Sequence, residues 1–203
     1  VHNIEPSEGV LFSAIKDAKA GDTIVLAPGD YVAAKFLKLT KPVTIKGGGD
    51  VNLTFERSAM FEILDGGSLQ LVNVNISGDD SPDYKGNSVI RTSPYAMLRN
   101  YRLEIIDSNL YTDDGYGIIS FSGVVDDVKI VNSRLASDSS GNPLFITAGD
   151  TQTNLLVEGG VLDRANSTLN QNSSAGTSIV EFRNVYDILS DVSQGYINDY
   201  LNG

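Results

Sequence analysis

The sequence predicts an all-β chain, a single-stranded right-handed parallel β-helix with an N-terminal capping helix, in one domain over residues 1–203. Three observations carry this. An eight-residue segment recurs four times without gaps. Apolar residues within it alternate with period two. Its fifth position always holds a residue type that tolerates a left-handed backbone. The expected layout puts the cap at residues 9–20 and the rungs at residues 22–190.

The cap comes first. In "GVLFSAIKDA" and the residues after it, Val10, Leu11, Ala14, Ile15 and Ala18 share one helical face, with Lys16, Asp17 and Lys19 opposite. Gly21 is placed to stop the helix. A β-helix exposes strand edges and core at both ends, and an amphipathic helix before the first rung covers one of them. "TIVLAPGDY" and "KPVTIKG" then read as strands of the first rung.

The repeat comes next: "LQLVNVNI" (69–76), "LEIIDSNL" (103–110), "VKIVNSRL" (128–135) and "LLVEGGVL" (155–162). A weaker fifth copy is "VEFRNVYD" (180–187), with its apolar end slipped to Ile188. Positions one, three and eight are aliphatic in the first four copies, which gives a strand with one inward face on each side of a break. The fifth column is Asn73, Asp107, Asn132, Gly159 and Asn184. These residue types enter the left-handed region most readily, so each marks a one-residue corner between two strands. Between copies lies a further β-like run: "SVIRTS" (88–93), "GIISFSG" (117–123) and "LFITAG" (144–149). Three short strands per unit, spaced 34, 25 and 27 residues apart, describe a solenoid whose rungs bury one another. The longest spacing implies a loop near Gly78–Asn87. A parallel α/β fold would need a helix at each crossover, and the pattern supplies none.

Composition narrows the chemistry. There is no cysteine, so disulfides and thiolate nucleophiles are excluded. The single histidine, His2, argues against histidine general bases and zinc. A net charge of −11 disfavours nucleic acid and anionic membranes as partners. No apolar run approaches the ~20 residues of a membrane span. The chain begins at Val1 without a signal-like segment, which reads as a mature form or a fragment. No cofactor is expected, and calcium is the one metal the composition leaves open. Its candidate ligands are Asp79, Asp80 and Asp83, Asp113 with Asp114, and Asp126 with Asp127. None has EF-hand spacing, so they read as solvated turn residues and no metal site is assigned. The Asn-x-Ser/Thr triplets at Asn52, Asn75, Asn166 and Asn172 read as chance.

Two stretches are basic and free of acids. One holds Lys35, Lys38, Lys41 and Lys46. The other holds Lys85, Arg91, Arg99 and Arg102, interleaved with Tyr95 and Tyr101. The second is the candidate substrate-binding set, because arginine pairs carboxylates bidentately and tyrosine rings stack on sugar faces. Solvated outward residues balancing an acidic surface are the competing reading.

"AGDTIVLAPGDY" after an amphipathic helix, followed by "KPVTIKG", resembles the start of the pectin-lyase-like β-helix superfamily. Within it the chain is most similar to polysaccharide lyase family 6, the alginate lyases and chondroitinase B. "MFEILDGGSLQLVNVNISG" resembles the second β-helix domain that some members carry after the catalytic one. Catalytic domains of that family use a lysine base and an arginine acid, with Asn and Glu side chains holding calcium. No matching segment occurs here: "RSAMFE" at Arg57–Glu62 lacks the setting, and no catalytic residue carries over.

The resemblance therefore implies a secreted or periplasmic, non-catalytic domain of a family-6-like enzyme. Its partners would be an acidic polysaccharide and either a catalytic β-helix domain or a second copy of itself. Two alternatives stay open. One is a self-contained lyase or epimerase acting on uronate glycans by β-elimination, with its site on the Arg91–Arg102 stretch. The other is a structural β-helix of an adhesin or tailspike.

Overall fold

The computed structural model describes residues 1–56, 59–78, 88–92, 101–112, 117–121, 125–138, 143–147, 152–166, 168–171 and 179–189. The chain opens with β1 (His2–Ile4) and the helix α1 (Val10–Asp17), and then coils. The first rung is β2 (Asp22–Leu26), β3 (Gly29–Ala33) and β4 (Leu37–Leu39). The second is β5 (Pro42–Gly47), β6 (Val51–Phe55) and β7 (Phe61–Ile63). The third is β8 (Ser68–Val72), β9 (Asn75–Gly78) and β10 (Ser88–Thr92), and the fourth β11 (Tyr101–Ile106), β12 (Asn109–Thr112) and β13 (Gly117–Phe121). The fifth is β14 (Val125–Val131), β15 (Arg134–Ser137) and β16 (Phe145–Thr147). The sixth is β17 (Gln152–Glu158), β18 (Val161–Arg164) and β19 (Leu169–Gln171). Finally, β20 (Ile179–Arg183) and β21 (Tyr186–Leu189) begin a seventh.

Like strands stack in parallel into three sheets. Sheet A holds β1, β2, β5, β8, β11, β14, β17 and β20. Sheet B holds β3, β6, β9, β12, β15, β18 and β21. Sheet C holds β4, β7, β10, β13, β16 and β19. This is the right-handed parallel β-helix that the repeat predicts.

The register puts like residues above like. Leu69, Leu103, Val128, Leu155 and Val180 are successive partners, as are Ile76, Leu110, Leu135 and Leu162. The ungapped repeat is therefore the physical register. Ile24, Ile45, Leu71, Ile105, Ile130 and Val157 form one continuous inward column and are all fully buried. Burial of each such side chain contributes about 1.5–3 kcal/mol against the entropy of ordering the chain.

The corners behave as their residue types require. Asn73, Asp107, Asn132, Gly159 and Asn184 all have positive φ, between 48° and 66°. Each of the first four donates its backbone N–H to the carbonyl just before the next rung's corner, on Ile106, Val131, Glu158 and Arg183, at 2.8–3.0 Å. The residue after the corner adds a hydroxyl ladder. Val74 N–H donates to Ser108 Oγ and Ser108 N–H to Ser133 Oγ, at 3.2 and 3.1 Å. Each hydroxyl then donates back to the carbonyl two residues earlier. Buried backbone groups at these bends thus stay paired.

Two expectations at the N-terminus need correction, and a third feature is new. First, the helix runs over Val10–Asp17 rather than 9–20, because Ala18 has already left it (φ −58°, ψ 147°). Gly21 is no helix stop. Its φ of 84° turns the chain into β2, and its N–H donates to Pro42 O. Second, "KPVTIKG" opens the second rung: it is β5, stacked on β2 with Ile24 opposite Ile45. Third, β1 adds a strand that the pattern did not signal, pairing His2–Ile4 with Ile24–Leu26. The Tyr31 hydroxyl lies 3.0 Å from the carbonyls of Ile4 and Ala27 and ties β1 to the first rung. The lid itself is as expected: Leu11, Ile15 and Ala18 are buried against the core, with Val10 and Ala14 partly so. The Lys41 ammonium donates to Ala18 O at the helix C-terminus, where a cation is favoured.

Candidate functional site

Of the predicted binding set, the three described members, Arg91, Tyr101 and Arg102, do not share one face. Arg91 points outward from β10 in sheet C, where the register aligns Lys38, Glu62 and Arg91 in successive rungs. Its Nε and Nη2 donate to Glu62 Oε1 at 3.1 and 2.8 Å. Its guanidinium lies over the Phe36 ring, 4.9 Å from the centroid. Arg91 is 25% exposed and Glu62 only 7%. This arginine is committed to an ion pair and an aromatic face. Arg102 is an outward residue of β11 in sheet A, with Nε 3.5 Å from Asp127 Oδ2 and both side chains well exposed. Neighbouring Tyr101 is turned inward and buried. Lys85, Tyr95 and Arg99 lie outside the described residues.

The first basic stretch divides too, but two of its members meet new company. Lys41 caps α1, and Lys46 is exposed on sheet A. In "KFLKL" the alternation buries Leu37 and Leu39 and leaves Lys38 outside. Lys35, Phe36 and Lys38 then face Phe12 and Lys16 of α1 across a groove of about 710 Å³. Among the described residues no carboxylate lines it. The Lys35 ammonium lies 5.5 Å from the Phe12 ring centroid. An adjoining groove, of about 560 Å³, shares Phe12, Lys35 and Leu37 with the first and is also lined by Glu8, Asp30 and Glu56. Lys35 and Phe12 thus stand where a groove with Lys16 and Lys38 adjoins one with three carboxylates.

Phe12, Lys16 and Phe36 are the residues that sequence reasoning passed over. A signal existed for two of them. Phe12 is an apolar residue off the buried stripe of α1, and Phe36 breaks the in–out alternation of the strand it precedes.

Sheet B carries a different surface. Asn109 Nδ2 donates to Asn75 Oδ1 (2.7 Å), Asn75 Nδ2 to Asn52 Oδ1 (3.1 Å) and Asn52 Nδ2 to Asp30 Oδ1 (3.0 Å). This outward amide ladder spans three rungs, ends on Asp30 of the first rung and beds a shallow groove with Tyr111 and Arg134. Its amides are occupied by one another, and Asp30 and Asp50 flank its end. On sheet A, Thr44, Gln70 and Glu104 are chained at 3.1 and 2.6 Å.

Among the described residues no three His, Cys, Asp or Glu side chains gather as a metal-ligand set. Asp127 pairs with Arg102, while Asp79, Asp80, Asp83, Asp113 and Asp114 lie outside the described residues. His2 Nε2 sits 2.7 Å from Asp22 Oδ2. The Asp22 carboxyl is held below its ordinary pKa, first by the Lys19 N–H and then by His2. Burial raises the pKa of the Tyr31 phenol, with Glu5 adding to it. Neither group is placed for catalysis: both fasten the N-terminal strands.

No family model matches the chain, and no curated protein matches it. Among solved structures it is similar to a PL6 family alginate lyase, AlyGC. That likeness has a TM-score of 0.65 and 24% identity, over 91% of this chain and 32% of that one. A single-arginine variant of the same enzyme gives 0.63 and 24%, over 90% and 32%. The chain spans about a third of the length of the solved structures it matches. What the likeness establishes is the fold: this chain is a parallel β-helix of the kind that alginate lyase contains.

Proposed function

We propose that this chain is a non-catalytic β-helix domain of a secreted or periplasmic polysaccharide-degrading enzyme. It holds an acidic polysaccharide such as alginate beside a catalytic β-helix domain. The observation that carries this is the likeness of nearly the whole chain to one third of an alginate lyase. The side-chain chemistry supports it. β-Elimination from a uronate needs a cation at the carboxylate, a base for the C5 proton and an acid for the leaving oxygen, all within reach of one sugar. Arg91 and Arg102 stand on different sheets, and each already faces a carboxylate.

The test is incubation of the chain with alginate while following far-UV absorbance, since β-elimination leaves an unsaturated uronate that absorbs there. Retention on an alginate gel with flat absorbance is expected. A steady rise in absorbance would overturn the non-catalytic reading, and absence of retention would overturn the binding role.

A further inference from the structure

The groove between α1 and β4 runs against the charge of the molecule. The chain has 26 Asp and Glu against 15 Lys and Arg. Even so, Lys16, Lys35 and Lys38 line this groove with no carboxylate among the described residues. Glu62, which the register sets beside Lys38, is occupied by two N–H groups of Arg91. Lys16 and Lys38 thus line this groove only, while Lys35 sits at its border with the adjoining groove of Glu8, Asp30 and Glu56. The three lysines take no part in seating the lid, which rests on Leu11, Ile15 and Ala18 with Val10 and Ala14 beside them. Phe12 is 38% exposed on the other side of that helix. A volume of about 710 Å³ lies within the range that bound small ligands fill.

We infer that this groove is a subsite for a carboxylated sugar chain. Lys16, Lys35 and Lys38 pair its carboxylates, and the Phe12 ring takes the apolar face of a sugar. The inference rests on the reading that the domain holds an acidic polysaccharide, and it adds where. The adjoining groove shares Phe12 and Lys35 but adds Glu8, Asp30 and Glu56, which repel the same carboxylates. It therefore directs the chain along the lysine side. Ammonium groups this exposed bind as point charges, so affinity falls as salt rises.

The experiment measures the affinity of the folded chain for a purified oligouronate by calorimetry. It compares wild type with Lys16→Gln/Lys35→Gln/Lys38→Gln. A charge-matched control, Lys19→Gln/Lys46→Gln/Lys129→Gln, changes exposed lysines away from the groove. The groove triple variant should bind about tenfold more weakly, the sum of three exposed ion pairs, and the control within about twofold of wild type. Phe12→Ala should weaken binding without changing its salt dependence. If the triple variant does not fold, the single Lys35→Glu reversal, at an exposed corner, carries the same comparison. Equal losses in groove and control variants would overturn the subsite while leaving glycan binding intact. Tight binding of a neutral glucan, or of an oligonucleotide in competition, would overturn the carboxylated-sugar assignment. No oligouronate binding by wild type would remove both the subsite and the function on which it rests.

Discussion

Asn132 sits at a rung corner with φ = 48°. A left-handed backbone costs an ordinary L-residue about 1–2 kcal/mol, and asparagine escapes part of that through local bonding of its short side chain. Asn132→Ala keeps the strain and loses the relief, so it should destabilise the fold by about 1 kcal/mol. Asn132→Gly removes the strain but adds chain entropy, and the two effects nearly cancel. Alanine should therefore be the worse substitution by about 1 kcal/mol, although glycine is the poorer residue almost anywhere else in a strand. Asn73 repeats the corner two rungs away, at φ = 55°. Its Nδ2 also donates to the carbonyls of Gly47 and Gly49, at 3.3 and 3.1 Å. There the glycine variant loses those bonds as well and should fall below wild type, while alanine falls further. The two corners share no partner, so paired alanine substitutions should add. Thermal unfolding followed by circular dichroism reads this directly. With the lost Asn73 bonds adding about 1 kcal/mol, the double alanine variant loses about 3 kcal/mol and, at about 2–4 °C per kcal/mol for a domain of this size, should melt roughly 6–12 °C below wild type. Alanine variants as stable as their glycine counterparts at both corners would refute the left-handed corner as the element that sets the rung.

The two candidate arginines should separate in stability. Arg91→Ala leaves the nearly buried Glu62 carboxylate unpaired and should cost about 1–3 kcal/mol. Arg102→Ala, at an exposed pair, should cost less than about 0.5 kcal/mol by urea unfolding. Gly160→Ala would set a Cβ 2.2 Å from the Ser133 carbonyl oxygen at φ +81°. It should destabilise by about 3 kcal/mol or more, visible as loss of the cooperative transition. Asp22 has a folded pKa below its unfolded value of 3.8. Its contribution is therefore present above that pH and lost as pH falls through the lower folded value. Asp22→Asn should flatten the acid limb of a stability–pH profile below about pH 4 and leave its slope near pH 7 unchanged.

How legible each feature was in the sequence follows from the range of the interactions behind it. Asn73, Asp107, Asn132, Gly159 and Asn184 could be read as corners because a left-handed backbone is a local demand on one residue type. The aliphatic columns could be read because period two fixes which side chains point inward, and stacking then fixes the register. The helix end could not, since Ala18 is a good helix former and leaves the helix only to bury itself against the core. The assignment of "KPVTIKG" to a rung also depended on three-dimensional closure. Nothing local says whether β5 follows β3 around the coil or lies above β2. The binding surface was the least legible. Arg91 and Arg102 are close in sequence but belong to sheets C and A. Lys16 and Lys38 are far apart in sequence and line one groove. The amide ladder of Asn52, Asn75 and Asn109 spans three rungs, and only the register reveals it.

The most direct test of glycan binding at the lid is a backbone amide NMR titration with a uronate oligosaccharide. Saturable shift changes should gather on Phe12–Lys16 and Ala34–Thr40, the two segments that line the cationic groove. Changes centred instead on Asn52, Asn75 and Asn109 of sheet B, or no saturable change anywhere, would contradict it.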